Sequence, residues 1–123
     1  MTNTELSGQK LPRPSVIQFS IKDMSGLAAA YMPILLDGGL FIPTNRPYWL
    51  GDSVYVLIAL PDGSQRHPVA AKVAWITPAN AAGGRTQGVG VRFPNDEKSL
   101  ALKSKIEGML SGYVTTERSS QTV

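Results

Sequence analysis

Hydrophobic and polar residues alternate over short runs through most of this chain, and the spacing becomes helical only near its end. Val16-Ile17-Gln18-Phe19-Ser20-Ile21 puts Ile17, Phe19 and Ile21 on one face and predicts a first strand. Lys22-Asp23-Met24-Ser25-Gly26 breaks it, and the alanine-rich stretch Leu27 to Met32 allows one or two helical turns before Pro33 ends them. Leu40-Phe41-Ile42 is a short strand closed by Pro43 and the polar Thr44-Asn45-Arg46-Pro47. Asp52 to Leu60 places Val54, Val56, Ile58 and Leu60 on one side, and Pro61-Asp62-Gly63-Ser64 is a turn. Gln65 to Thr77 returns as a long strand with Val69, Ala71, Val73 and Trp75 on one face, which reads Trp75 as core. Ala79 to Arg85 is a small-residue loop. Val89, Val91 and Phe93 then make a last strand, with Gly88 and Gly90 on its other face.

One amphipathic helix follows. Asn95 is the expected cap, Asp96 and Glu97 suit the positive end of the helix dipole, and Leu102, Ile106, Met109 and Tyr113 recur at helical spacing with Leu110 beside them. Gly112 is the expected stop. Short strands followed by one helix predict a mainly β fold, an antiparallel barrel with the helix over an opening. The expected organisation is a flexible lead over 1–14, one domain over 15–113 and a disordered tail over 114–123.

Composition narrows the chemistry. At 123 residues, with 42% hydrophobic and 17% charged residues, the chain has enough apolar surface for one modest core. The absence of cysteine excludes disulfides and thiolate sites, and a single histidine, His67, excludes a multi-histidine metal centre. The net charge of +3 comes from scattered basic residues with no run or aromatic interleaving, so a solvated basic surface is favoured over nucleic-acid binding. No apolar run is long enough to span a bilayer, and the polar start MTNTELSGQK lacks the apolar stretch of a secretory signal, so a cytoplasmic protein is expected. His67 has no acid or nucleophile at a recognisable motif spacing. Asp23, Asp37 and Asp52 are explained by turns, and Gly83-Gly84-Arg85 is too short for a phosphate cradle. No catalytic site, cofactor or metal is expected.

Three stretches together resemble the PilZ domain family: Gly38-Gly39-Leu40-Phe41-Ile42; Leu50-Gly51-Asp52 leading into Val54–Leu60; and Pro68–Trp75 followed by Gly88-Val89-Gly90-Val91-Arg92-Phe93. The likeness covers about residues 16–113 and implies a six-stranded antiparallel split β-barrel with a C-terminal α-helix. Ala30-Tyr31-Met32-Pro33, Tyr48, Trp75-Ile76-Thr77-Pro78 and Gly84-Arg85-Thr86 are similar to the type IV pilus branch of the family. Most members are receptors for cyclic di-GMP through an Arg-x-x-x-Arg segment and an Asp/Asn-x-Ser-x-x-Gly motif. Ahead of the barrel this chain has only Arg13, and position 17 is Ile. Aligned on Gly39, the second motif has Ile34 for its acid or amide and Leu36 for its serine. Such losses remove several charge-assisted hydrogen bonds of about 1.5–3 kcal/mol each.

The resemblance therefore implies a bacterial adaptor for pilus biogenesis and twitching motility that does not itself bind cyclic di-GMP. Its implied partners are the pilus extension ATPase (PilB) and an EAL-domain cyclic di-GMP receptor (FimX), with no nucleic acid and no membrane insertion. The candidate partner-binding residues are Tyr31, Met32, Pro33, Ile34, Leu36, Tyr48 and Trp49, since tyrosine, methionine and tryptophan are enriched at interfaces. The competing reading of Tyr31, Met32 and Trp49 is that they fill or cap the barrel. The alternative function is direct sensing of cyclic di-GMP through an unusual site using Arg13, Arg46 and Arg85.

Overall fold

A computed structural model describes residues 15–121, with side chains from 16 to 113. The expected lead over 1–14 and the last two residues of the expected tail lie outside the described residues. The elements in chain order are β1 (Ser15–Ser20), α1 (Met24–Ala30), β2 (Gly39–Pro43), β3 (Ser53–Ala59), β4 (His67–Thr77), a 3-10 turn (Ala82–Gly84), β5 (Gly88–Arg92) and α2 (Glu97–Gln121).

Five strands form one sheet in the order β1-β3-β4-β5-β2. β4 pairs antiparallel with β3 and β5, and β5 pairs antiparallel with β2. β1 runs parallel to β3, from Ser15 beside Val54 to Ser20 beside Ala59. The expected six-stranded, all-antiparallel barrel is corrected on this point: the described residues hold five strands in a mixed sheet. The physical reason is the connection. β1 reaches β3 through α1 and β2, a path long enough to re-enter the sheet in the same direction, and period-two alternation carries no information on direction.

The alternating residues of the sheet make the core. Val54, Val56, Ile58, Val69, Ala71, Val73, Val89, Val91, Leu40 and Ile42 are buried, and Leu27 of α1, Phe93, and Leu102 and Ile106 of α2 close it. Asp23 caps α1: its carboxylate accepts from Gly26 N–H at 2.7 Å and from the Ser25 hydroxyl at 3.0 Å. These bonds, the backbone one foremost, hold its pKa below the usual carboxylate value. The cap of α2 is Asp96, not the expected Asn95, because Ser99 N–H donates to Asp96 Oδ1 at 2.8 Å. Nor does α2 stop at Gly112. It continues to Gln121, through most of the stretch expected to be a tail. Glycine weakens a helix without forbidding it.

Trp75 corrects the sequence reading most sharply. The register shifts between Val73 and Trp75, so Val73 lies beside Val91 while Trp75 lies beside Gly90. This bulge spends one extra residue and turns Trp75 from the core face to the outer face, where it is 38% exposed and its indole N–H donates to Thr77 Oγ1 at 2.9 Å. Gly88 and Gly90 form the floor beneath Phe41, Met32 and Trp75. A Cβ on Gly88 would run into the Ile42 carbonyl oxygen and approach Phe41 Cζ to 2.7 Å.

Gly88→Ala is therefore expected to destabilise the fold by about 1–3 kcal/mol, since a backbone atom must give way. Gly108→Ala lies in α2 with nothing within 4 Å of its Cβ, and is expected to stabilise by about 0.5–1 kcal/mol. Urea denaturation of the two variants beside the parent checks both signs.

Candidate functional site

The candidate residues occupy two loops. The first leaves α1 at Tyr31, whose N–H donates to Leu27 O at 3.0 Å and which bridges Leu40 across the edge of β2. Tyr31 is half-buried against the core, and its hydroxyl donates to Glu107 Oε2 at 2.5 Å, tying the loop to α2. Burial comes first and the Glu107 carboxylate second in raising the Tyr31 pKa well above the ordinary phenol value. Met32 donates from its N–H to Gly39 O at 2.9 Å, and its thioether covers Gly90.

Two successive turns follow, closed by Leu35 N–H to Met32 O at 3.3 Å and Gly38 N–H to Leu35 O at 2.8 Å. Pro33 suits the second position of the first turn. The second needs the left-handed backbone of Asp37, at φ 64°, followed by Gly38 at 78°. The turns send alternate side chains in opposite directions. Leu35 folds over Gly39, while Ile34 and Leu36 point outward and are 75% and 71% exposed.

The second loop enters β3. Tyr48 is half-buried against the core, with the Arg46 guanidinium 5.8 Å from its ring centroid. Its hydroxyl is buried and finds no hydrogen-bond partner among the described residues. Trp49 is 77% exposed and Leu50 66% exposed. The turn carrying them is rigidly held: Trp49 N–H donates to Asp52 Oδ2 at 2.8 Å, Gly51 N–H to Val73 O at 2.8 Å, and Val73 N–H to Asp52 O at 2.9 Å. Gly51, at φ 90°, makes the turn possible.

The candidates thus divide. Tyr31, Met32 and Tyr48 are half-buried and act as packing for the loops, while Pro33, Ile34, Leu36 and Trp49 are exposed. Leu50 was missed by the sequence reading, although an apolar residue beside a turn glycine is a usable signal. The two loops enter one cross-strand row from opposite ends of the sheet, because β2 and β3 run antiparallel to each other. β2 begins at Gly39, β3 at Ser53, and the cross-strand row Gly39–Arg92–Lys72–Ser53 runs between them. With three strand spacings, the loop ends stand about 14 Å apart.

No group of three or more metal-ligating side chains occurs among the described residues, and no helix among them is long and apolar enough to cross a membrane. A cleft of about 270 Å³ between β4 and α2 is lined by His67, Pro68, Val69, Ser99, Leu102 and Lys105, among others. His67 is engaged in the hairpin turn, not in a nucleophile's geometry. The Ser64 hydroxyl donates to Asp62 Oδ1 at 2.6 Å, which leaves its oxygen to accept from His67 Nε2–H at 3.2 Å. Asp62 also takes Ser64 N–H at 2.9 Å and pairs with Lys105 Nζ at 3.0 Å, which latches the turn onto α2. The Ser64 bonds first, then Lys105, hold the Asp62 carboxyl well below its usual range.

Burial, aided by the Lys105 charge and opposed by Asp62, lowers the His67 pKa. The folded state therefore prefers neutral imidazole. The stability this contributes is present above the ordinary histidine value and is lost as pH falls through the folded pKa. Between about pH 7 and pH 5, near the ordinary histidine pKa of about 6.5, the parent is expected to lose more stability than His67→Gln. Thermal melts across that range check this. Tyr31→Phe is expected to cost about 1 kcal/mol through the lost Glu107 bond, measured by urea denaturation.

The family model of the PilZ domain matches residues 11–112. No curated protein matches the chain.

Proposed function

Since the chain belongs to the PilZ domain family, we propose that it is a non-catalytic adaptor whose two exposed loops dock protein partners in type IV pilus biogenesis and twitching motility. A domain of this family points to cyclic di-GMP signalling through binding and adaptor contacts. The observation that carries the narrower reading is the exposure of Ile34 and Leu36. Where the ligand-binding pattern of the family has an acid or amide and a serine, this chain displays two aliphatic side chains to solvent. Apolar groups supply no hydrogen bonds to a guanine edge, whereas a protein partner gains by burying them, at about 25 cal/mol per Å² of apolar surface.

Trp49 and Leu50 extend the apolar surface on a second, rigid support. A tryptophan held by backbone bonds loses little conformational freedom on binding, as suits an anchor residue. The partners we propose are the pilus extension ATPase (PilB) and an EAL-domain receptor (FimX) that senses the nucleotide and passes the signal on by contact. Direct sensing is the less supported reading. Arg46 is engaged over Tyr48, Arg85 lies in the 3-10 turn region, and Arg13 lies outside the described residues.

Titration calorimetry with cyclic di-GMP is expected to show no saturable heat at micromolar concentration; saturable heat supports the direct sensor instead. Replacing Ile34 and Leu36 together with serine is expected to weaken capture of the purified ATPase or EAL protein at least about tenfold, or 1.4 kcal/mol. Stability should stay within about 0.5 kcal/mol, because both residues are exposed.

A further inference from the structure

Lys72 and Arg92 face each other across β4 and β5 on the outer side of the sheet. Their chain neighbours Ala71, Val73, Val91 and Phe93 are buried, so both cations must point outward. Like charges directly opposite one another destabilise a sheet. Neither side chain has a hydrogen bond or an ion pair with any described residue. At the β3 end of the row, the Asp52 carboxylate accepts from Trp49 N–H. Lys72 and Arg92 are therefore two cations without an ion-pair partner, lying between two apolar loops, Ile34 and Leu36 on one and Trp49 and Leu50 on the other.

We propose that this row docks an acidic segment of a partner protein, with carboxylates on Lys72 and Arg92 and an apolar side chain at each end seated on the two loops. Charge complementarity selects the occupant: the two cations lack counter-ions, and a carboxylate pair would supply them while the flanking apolar surfaces are covered. Spacing agrees. An extended segment of about seven residues puts four alternate side chains on one side, an apolar residue at each end and two carboxylates between, over about 20 Å, which reaches past loop ends that stand about 14 Å apart. The site is an open sheet face, which suits a chain lying across it better than a small molecule that needs enclosure. The inference rests on the docking reading above, but not on the identity of the partners named there.

The probe is a short synthetic peptide with leucine at each end, two glutamates two positions apart between them, and threonine elsewhere. Its lysine counterpart is the control. Nuclear magnetic resonance titration of the full chain is expected to show saturable shifts at Lys72, Arg92, Trp49 and Leu36 with the acidic peptide alone. Binding should weaken roughly threefold or more when salt is raised from about 50 to about 300 mM. Lys72→Glu should reduce binding about tenfold and melt no lower than the parent, because glutamate opposite Arg92 replaces repulsion with attraction. Arg92→Gln should reduce binding similarly.

Undiminished binding in both variants, or shifts confined to other residues, overturns the proposal. So does saturable binding of cyclic di-GMP that shifts Lys72 and Arg92, which makes the face a nucleotide site. Normal peptide binding by a chain that captures neither the ATPase nor the EAL protein supports the acidic docking row and faults only the partner identities.

Discussion

Hydrogen bonding of β4 to strands on both of its sides is the constraint from which the remaining geometry follows. Eleven residues long, β4 pairs with β3 over its first half and with β5 over its second. Its inward side chains Val69, Ala71 and Val73 join those of β3 and β5 in the core. Its backbone also reaches beyond the ladder: Val73 exchanges hydrogen bonds with Gly51 and Asp52, which fixes the turn presenting Trp49 and Leu50. At the far side of β5, the bond from Met32 N–H to Gly39 O anchors the opposite loop to β2. Both exposed apolar loops therefore have a rigid sheet as their common support, and the row Lys72–Arg92 is the part of that sheet between them.

The period-two pattern made most of the fold legible. Val54, Val56, Ile58 and Leu60, then Val69, Ala71 and Val73, then Val89, Val91 and Phe93 lie inside as their alternation requires. Burial of one face leaves a strand little choice of register. What the pattern leaves open is how many residues the strand spends per step. One extra residue after Val73 reverses the side on which Trp75 falls, and nothing in the local composition marks it. Strand direction is equally silent in the alternation, and the parallel pairing of β1 became visible only with the full connection around α1 and β2.

The site was readable in part. Tyr31, Met32 and Tyr48 are amphipathic residues whose type suits core and interface alike, and three-dimensional packing places them half inside. Ile34 and Leu36 look like core residues by type. Only the paired turns, with Asp37 in a left-handed conformation, put them outside while drawing Leu35 in. Lys72 and Arg92 are unremarkable in the sequence, twenty positions apart by number; their opposition exists only in the β4–β5 register. Legibility thus fails where a surface depends on which strands are neighbours.

Two apolar contacts and a strip of unpaired cations suit a protein that passes information by touch. The account is tested most directly by hydrogen exchange of this chain with and without the purified extension ATPase. It predicts slower exchange of the amides of residues 34–38 and 48–53, with the β3–β4 turn at 61–66 unchanged. Protection confined to the turn and α2, with both apolar loops exchanging as freely as in the isolated chain, would contradict it.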